Sequence, residues 1–377
     1  MIAPDHTQVA RLVVRAPNWL GDAVMALPAM AAVRRHFATA HLTVAAPASV
    51  AALFREQSDV RPDAILVLPS DTRAAARVLR DGAFELGILF PNSFGSAWML
   101  KRAGIPQRWG IARDFRGWLL TRKSALRTPA LSTVALRTDA LRTDALRTSA
   151  LSHSALHHTE FYRNLIRGLG IPCDDEAPLV TASAHSRAAA ETLLTRAGVS
   201  PGTRLVGIAP GAAYGQAKQW PPERMAGVMA RLMRERDVTC VVVGAAHDRV
   251  ASREIESWLR THAPEALPRM VDLVGRTDLG SLVGVVSMCR VFVSNDSGAM
   301  HVAAATGRPV VAMFGPTDER ATRPVGRGDV LTADVFCRPC HLRDCPIDHR
   351  CMKRITVDIV FAAVSRHLAF SRAEVAP

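Results

Sequence analysis

Residues 291–315 constrain the fold more than any other stretch of the chain. They read Val291-Phe-Val-Ser-Asn-Asp-Ser-Gly-Ala-Met-His301, then a small-residue stretch to Thr306, then Pro309-Val-Val-Ala-Met-Phe-Gly315. An uninterrupted apolar run such as Val291–Val293 is the signature of a strand covered on both faces. It stops at a polar turn, Ser294 to Gly298, and the small residues after it predict a helix over 298–306 before the second apolar strand. A strand–turn–helix–strand unit of this kind opens a helix N-terminus at the carboxyl end of a parallel strand. Unpaired N–H groups and the positive end of the helix dipole suit a diphosphate there. Ser297 and His301 stand four residues apart, hence on one helix face. The unit points to a nucleotide-linked substrate. Each residue also has a plainer reading: Asp296 as a helix N-cap, His301 as a packed core histidine.

The same alternation runs through most of the 377 residues. Strands are expected at 11–15, 42–46, 64–69 and 85–90, with helices at 22–37, 48–55, 72–80 and 95–103. A second series follows, with strands at 205–210, 239–244, 271–275, 291–295 and 309–315. Helices at 222–236, 248–261, 278–288 and 298–306 separate them, and 356–370 reads as a terminal helix. This predicts an α/β protein of two doubly wound, Rossmann-like domains facing a central cleft. The boundaries expected are 1–178 for the first domain, 179–355 for the second, and 356–377 for a C-terminal helix and tail.

The alternation breaks at 125–159, seven consecutive five-residue units: ALRTP ALSTV ALRTD ALRTD ALRTS ALSHS ALHHT. A period of five does not match the 3.6 of a helix, so the Ala-Leu pairs cannot form one stripe. The segment reads as a surface insertion in the first domain that carries no chemistry, with a short regular solenoid as the alternative.

Charge narrows the partners. The net charge is +13, and residues 1–124 hold 16 Lys/Arg against 9 Asp/Glu. A basic surface can meet nucleic acid, anionic lipid or a phosphorylated substrate, or simply keep the chain soluble. Aromatics make up 5% of the residues, and no zinc-finger or RNA-binding signature is present. That leaves few platforms for stacking bases, so an acidic, membrane-embedded substrate is expected in preference to nucleic acid. No apolar run approaches the roughly 20 residues of a membrane span, and the N-terminus reads as an uncleaved cytosolic start.

Seven cysteines occur, four of them late: Cys337, Cys340, Cys345 and Cys351, with His341 and His349 among them. Without a secretory signal, disulfides are not expected. The spacing is not a standard pair of zinc knuckles, and the readings are structural zinc or reduced thiols packing a small lobe. No metal is assigned.

Further site candidates follow the first strand of each half. Asn18-Trp19-Leu20-Gly21-Asp22 puts a glycine at a tight turn and a carboxylate at a helix start. Asp22 is either a cap or a general base for a sugar hydroxyl. Ala209-Pro-Gly-Ala-Ala-Tyr-Gly-Gln-Ala-Lys-Gln-Trp-Pro221 is a small-residue loop in which Gly211 lets an anion approach and Lys218 supplies a point charge, unless that lysine is merely solvated. Gly315-Pro-Thr317-Asp could set a backbone or hydroxyl group near a nucleotide, or be an ordinary turn. The absence of GxGxxG and GxxxxGK[ST] argues against a dinucleotide dehydrogenase and a P-loop NTPase.

Four segments together resemble the ADP-heptose:lipopolysaccharide heptosyltransferases, glycosyltransferase family 9. They are RAPNWLGDAVMALPA, APGAAYGQAKQWPPE, VSNDSGAMHVAAATGRPVVAMFGPT and the tail CRPCHLRDCPIDHRCM. The tail and the lysine loop look more like the type II than the type I members. The resemblance implies a GT-B fold and transfer of L-glycero-D-manno-heptose from ADP-heptose to the first heptose of the lipopolysaccharide inner core, borne on lipid A-Kdo. It implies Asp22 as the base, Lys218 on the diphosphate, and Asp296, Ser297, Gly298 and His301 as the donor-binding turn. Asn18, Gly21, Gly211 and Thr317 complete the expected substrate-binding set. Ser297 stands where members often have Thr and keeps the hydroxyl. No cofactor is expected, and the enzyme is expected at the inner face of the inner membrane. The alternatives are a type I or other ADP-heptose transferase, and a basic nucleic-acid-binding protein.

Overall fold

A computed structural model describes residues 9–113, 115–125 and 156–373; most of the pentamer repeat therefore lies outside the described residues. The described residues form two six-stranded sheets, parallel throughout. The first comprises β1 (Arg11–Arg15), β2 (His41–Pro47), β3 (Ala64–Leu68), β4 (Leu86–Leu89), β5 (Gln107–Gly110) and β6 (Arg122–Lys123), in spatial order β3-β2-β1-β4-β5-β6. The second comprises β7 (Leu205–Ala209), β8 (Thr239–Val242), β9 (Met270–Asp272), β10 (Val291–Asn295), β11 (Val310–Phe314) and β12 (Gly328–Thr332), in order β12-β11-β10-β7-β8-β9. Both orders reverse once, between β1 and β4 and between β7 and β10. Such a reversal splays the connecting loops apart and opens a crevice at the carboxyl ends of the strands.

The apolar runs form the strands because both faces are covered. β7, β10 and β11 are buried at every residue. Helices Pro222–Arg236 and Val357–Ala373 cover one face of the second sheet, where Met225, Met229, Val360 and Val364 join one core. The first helix of the chain, Leu20–His36, is buried along Ala23–Val33 and runs through Pro28. It lies against the helix His158–Gly168 on one side and, across the domain junction, against Gly298–Ala305. Four-residue β5 and two-residue β6 extend the first sheet beyond what the hydrophobic pattern predicts, as β12 extends the second.

The junction between the halves is polar as well as apolar. Glu56, buried, accepts from the backbone N–H of Ser183 at 2.6 Å and the hydroxyl of Ser186 at 2.5 Å. It thereby ties the first half to the start of the helix Ala184–Arg196.

Candidate active site

A cleft of about 560 Å³ runs between the two sheets at their carboxyl edges. Its first wall carries Trp19, Leu20, Gly21, Asp22, Met25 and His158; its second carries the loops after β7, β8 and β10. Asp22 and His301 both line it. The lobes meet closely on its floor because two glycines lack side chains. A Cβ on Gly21 would stand 2.8 Å from Cδ2 of His301, and one on Gly298 would stand 3.0 Å from Cβ of Leu20.

Asp22 is not a helix cap. The helix starts at Leu20 with Trp19 as N-cap and no side-chain cap bond, so Asp22 sits in the first turn and caps nothing. Its Oδ1 lies 3.0 Å from Nδ1 of His158, and its charge acts on the buried Tyr162 phenol of the same helix. Burial, reinforced by the Asp22 carboxylate, holds the Tyr162 phenol well above its ordinary pKa, so it stays a donor. His158 thus holds a carboxylate that remains open to the cleft. His158 belongs to the last pentamer unit, ALHHT. The repeat, expected to carry no chemistry, ends on the first two residues of the helix His158–Gly168, which sets His158 against Asp22. Its neighbour His157 reaches the second domain, with Nε2 2.9 Å from the Arg323 carbonyl.

On the opposite wall Lys218 donates to Oδ2 of Asp296 at 2.6 Å. Thr317 donates to the same oxygen at 2.7 Å. Lys218 also stands 4.7 Å from the centroid of the Tyr214 ring, a cation–π arrangement. The pair is largely buried, with side chains 12% and 7% exposed. Asp296 is not a cap either: Ser297 is the N-cap of Gly298–Ala305, its hydroxyl bonds that of Ser294 at 2.9 Å, and no side chain caps the helix. The first N–H groups of that helix therefore face the cleft without a side-chain acceptor. Burial drives the pKa of His301 down to about 4 against the pull of Asp296 and Asp22, so its imidazole is neutral at pH 7.

Two expected residues stand apart from the cleft wall. Asn18 is exposed and accepts from Arg15. Thr317 is buried and acts through Asp296. Gly211 lines the cleft as expected, for a reason its own loop does not show. A Cβ there would come 2.0 Å from Oδ1 of Asp248. Asp248, buried at the end of the β8 loop, accepts from the Ala245 N–H through Oδ2 at 2.9 Å. Its Oδ1 accepts no hydrogen bond and has His247 Nε2 at 3.4 Å. Burial pushes the Asp248 carboxyl above its ordinary pKa. Asn295 is a second residue beyond the expected set. It bridges the crevice by donating to the Pro210 carbonyl at 2.6 Å and accepting from the Trp220 N–H at 3.0 Å.

The cysteine-rich tail buttresses the lysine loop. Ala217 donates to the Arg343 carbonyl at 2.9 Å, the Tyr214 hydroxyl donates to the His341 carbonyl at 2.9 Å, and His349 Nε2 lies 2.7 Å from the Ala217 carbonyl. All seven cysteines are free thiols. Among the described residues no group of three or more His, Cys, Asp or Glu is arranged to hold a metal ion.

Twin six-stranded parallel sheets with charged turns converging on a shared crevice define a two-domain α/β protein whose ligand site lies in that crevice. The sequence profile described as glycosyltransferase family 9 (heptosyltransferase) matches residues 72–350, and the chain belongs to that family. It is 29% identical over 325 residues to lipopolysaccharide heptosyltransferase 2 of Escherichia coli K12, covering 84% of this chain and 85% of that one. It is 26% identical over 336 residues to lipooligosaccharide heptosyltransferase 2 of Haemophilus ducreyi, covering 85% and 88%. The solved structure of E. coli ADP-heptose lps heptosyltransferase II superposes with a TM-score of 0.77 at 24% identity, covering 96% of this chain and 99% of that one. The GT-B expectation is thus met by the fold.

Proposed function

We propose that this glycosyltransferase moves L-glycero-D-manno-heptose from ADP-heptose to the first heptose of the lipopolysaccharide inner core, inverting the anomeric centre without a divalent metal. The observation that carries this reading is one cleft with an anchored carboxylate on one wall and a lysine–carboxylate pair beside an open helix N-terminus on the other. The names of the relatives supply the sugar and the acceptor class.

In this reading the acceptor hydroxyl oxygen attacks the anomeric carbon while the bond from that carbon to the β-phosphate oxygen breaks. Asp22 takes the hydroxyl proton, with His158 holding its orientation. Charge builds on the leaving ADP. Lys218 and the N–H groups at 297–298 stabilise it, a fixed cation and a helix terminus doing the work of a metal ion. Asp248, buried with an oxygen left over, receives hydroxyls of the nucleotide ribose. Neutral His301 packs behind the reacting centre and adds no second charge.

The acceptor is borne on lipid A-Kdo, so the basic first half is proposed to rest on the inner leaflet of the inner membrane. Among the described residues no helix is long and apolar enough to cross a membrane. Incubation with ADP-heptose and defined truncated acceptors tests the function. Addition of a second heptose to a Kdo-heptose acceptor is the expected result. Transfer to a Kdo-only acceptor would make the protein a type I enzyme. No transfer, together with salt-sensitive nucleic-acid binding, would replace the reading altogether.

A further inference from the structure

The carboxyl edge of the first sheet carries an exposed aromatic platform that the reaction does not use. Phe94 and Trp98, one turn apart on the helix after β4, stack with ring centroids 6.2 Å apart. Trp118, after β5, lies 6.3 Å from each of them. These three are 42%, 37% and 60% exposed, and Phe115, in the same loop as Trp118, is 96% exposed. Phe115 holds a φ of 58°, a conformation that costs a non-glycine residue energy and yet presents a large apolar ring to solvent.

Cations surround the rings. Lys101 Nζ stands 4.2 Å over the Trp118 ring, and Lys101, Arg102, Arg113 and Lys123 are exposed. Residues 91–123 contain seven Lys/Arg and one acidic residue. The platform is rigid at its root. Arg116, fully buried, donates to the carbonyls of Ile111, Pro91 and Ser93 at 2.8, 2.6 and 3.1 Å, tying the loop after β5 to the loop after β4.

We propose that this platform seats the enzyme on an anionic bilayer, its Trp and Phe rings in the interfacial layer and its lysines and arginines on the lipid phosphates. Aromatic rings with a polar edge partition to that layer, and each nearby cation adds attraction to anionic headgroups. The rings pack on one another, and Lys101 covers the face of Trp118, which disfavours intercalating bases. β5, β4 and β1 are neighbours in the sheet, so the platform shares the carboxyl edge from which Asp22 enters the cleft. The inference rests on the proposed function, because a lipid-borne acceptor must reach Asp22 from a membrane surface.

The test uses the full chain with vesicles of phosphatidylethanolamine and phosphatidylglycerol, and with phosphatidylcholine vesicles for comparison. Wild type is expected to float with the anionic vesicles, with tryptophan fluorescence quenched by brominated lipid. Trp98→Ala/Trp118→Ala should weaken partition by about tenfold or more, and Lys101→Gln/Lys123→Gln should flatten its salt dependence. Transfer to a soluble, delipidated acceptor should stay within about twofold of wild type for both double variants. If the tryptophan pair proves needed for folding, Trp118→Gln and the wild-type quenching carry the test. Absence of flotation, wild-type partition in both variants, or loss of single-stranded nucleic-acid binding with vesicle binding intact would overturn the proposal. Partition is read without donor, so its failure is distinct from failure of the transfer reaction.

Discussion

Nδ1 of His158, in the last unit of the pentamer repeat, lies 3.0 Å from Oδ1 of Asp22, across 136 residues of sequence. The contact makes His158 a positioning residue for the proposed base. Asp22→Asn should lower kcat by about a thousandfold while ADP-heptose still binds. His158→Ala should lower kcat by about tenfold with donor affinity unchanged, and His158→Gln should recover part of that loss. Near-normal turnover in Asp22→Asn would remove it from the base role.

Lys218 and Asp296 form a pair that is nearly out of water, so removing one partner strands the other. Lys218→Ala should destabilise the donor-free protein by about 3 kcal/mol and weaken donor binding as well as slowing transfer. Removing both charges with Lys218→Met/Asp296→Leu should recover stability in a denaturant titration but not activity. Unchanged donor kinetics in Lys218→Ala would count against its role on the diphosphate.

Gly211, after β7, leaves room for Asp248 of the neighbouring β8 loop. A Cβ would overlap the carboxylate at 2.0 Å, so Gly211→Ala must displace it. Calorimetry should show donor affinity down about tenfold in Gly211→Ala and in Asp248→Ala, with little further loss in the double variant. Additive losses would mean the two act separately.

His301 should make stability pH-dependent. Its folded pKa of about 4 lies below the roughly 6.5 of an unfolded histidine. The unfolded chain therefore binds the proton first. The contribution of the neutral ring is complete above about pH 6.5 and is lost as the pH falls toward about 4. Between about pH 7 and pH 5 this should cost about 2 kcal/mol in wild type, a slope that His301→Asn should lack. Parallel pH profiles of the two proteins would refute it.

Transfer should proceed in excess chelator at its ordinary rate, since Lys218 and the helix N-terminus are proposed to carry the leaving-group charge. A rate that falls with chelator and returns with a divalent cation would overturn the metal-free mechanism.

The amino-acid sequence by itself determined the two series of doubly wound strands and the turns on which the site is built. β7 and β11 are continuous apolar runs, and β1 and β10 each hold one of three residues; a run buried on both faces is legible because every residue in it meets the same environment. Asp22, Lys218 and Asp296 were legible because each follows such a strand. The edge strands β6 and β12 and the four-residue β5 beside β6 were not, since short half-covered strands lack a hydrophobic signature. Only the tertiary structure decided what each polar residue does. It turned Asp22 from a cap into an anchored carboxylate, gave Lys218 its partner 78 residues away, and brought His158, Asp248 and Asn295 to the crevice. Periodicity records which face of an element is buried; it carries no trace of which distant polar atom will stand 3 Å away once two sheets close on each other.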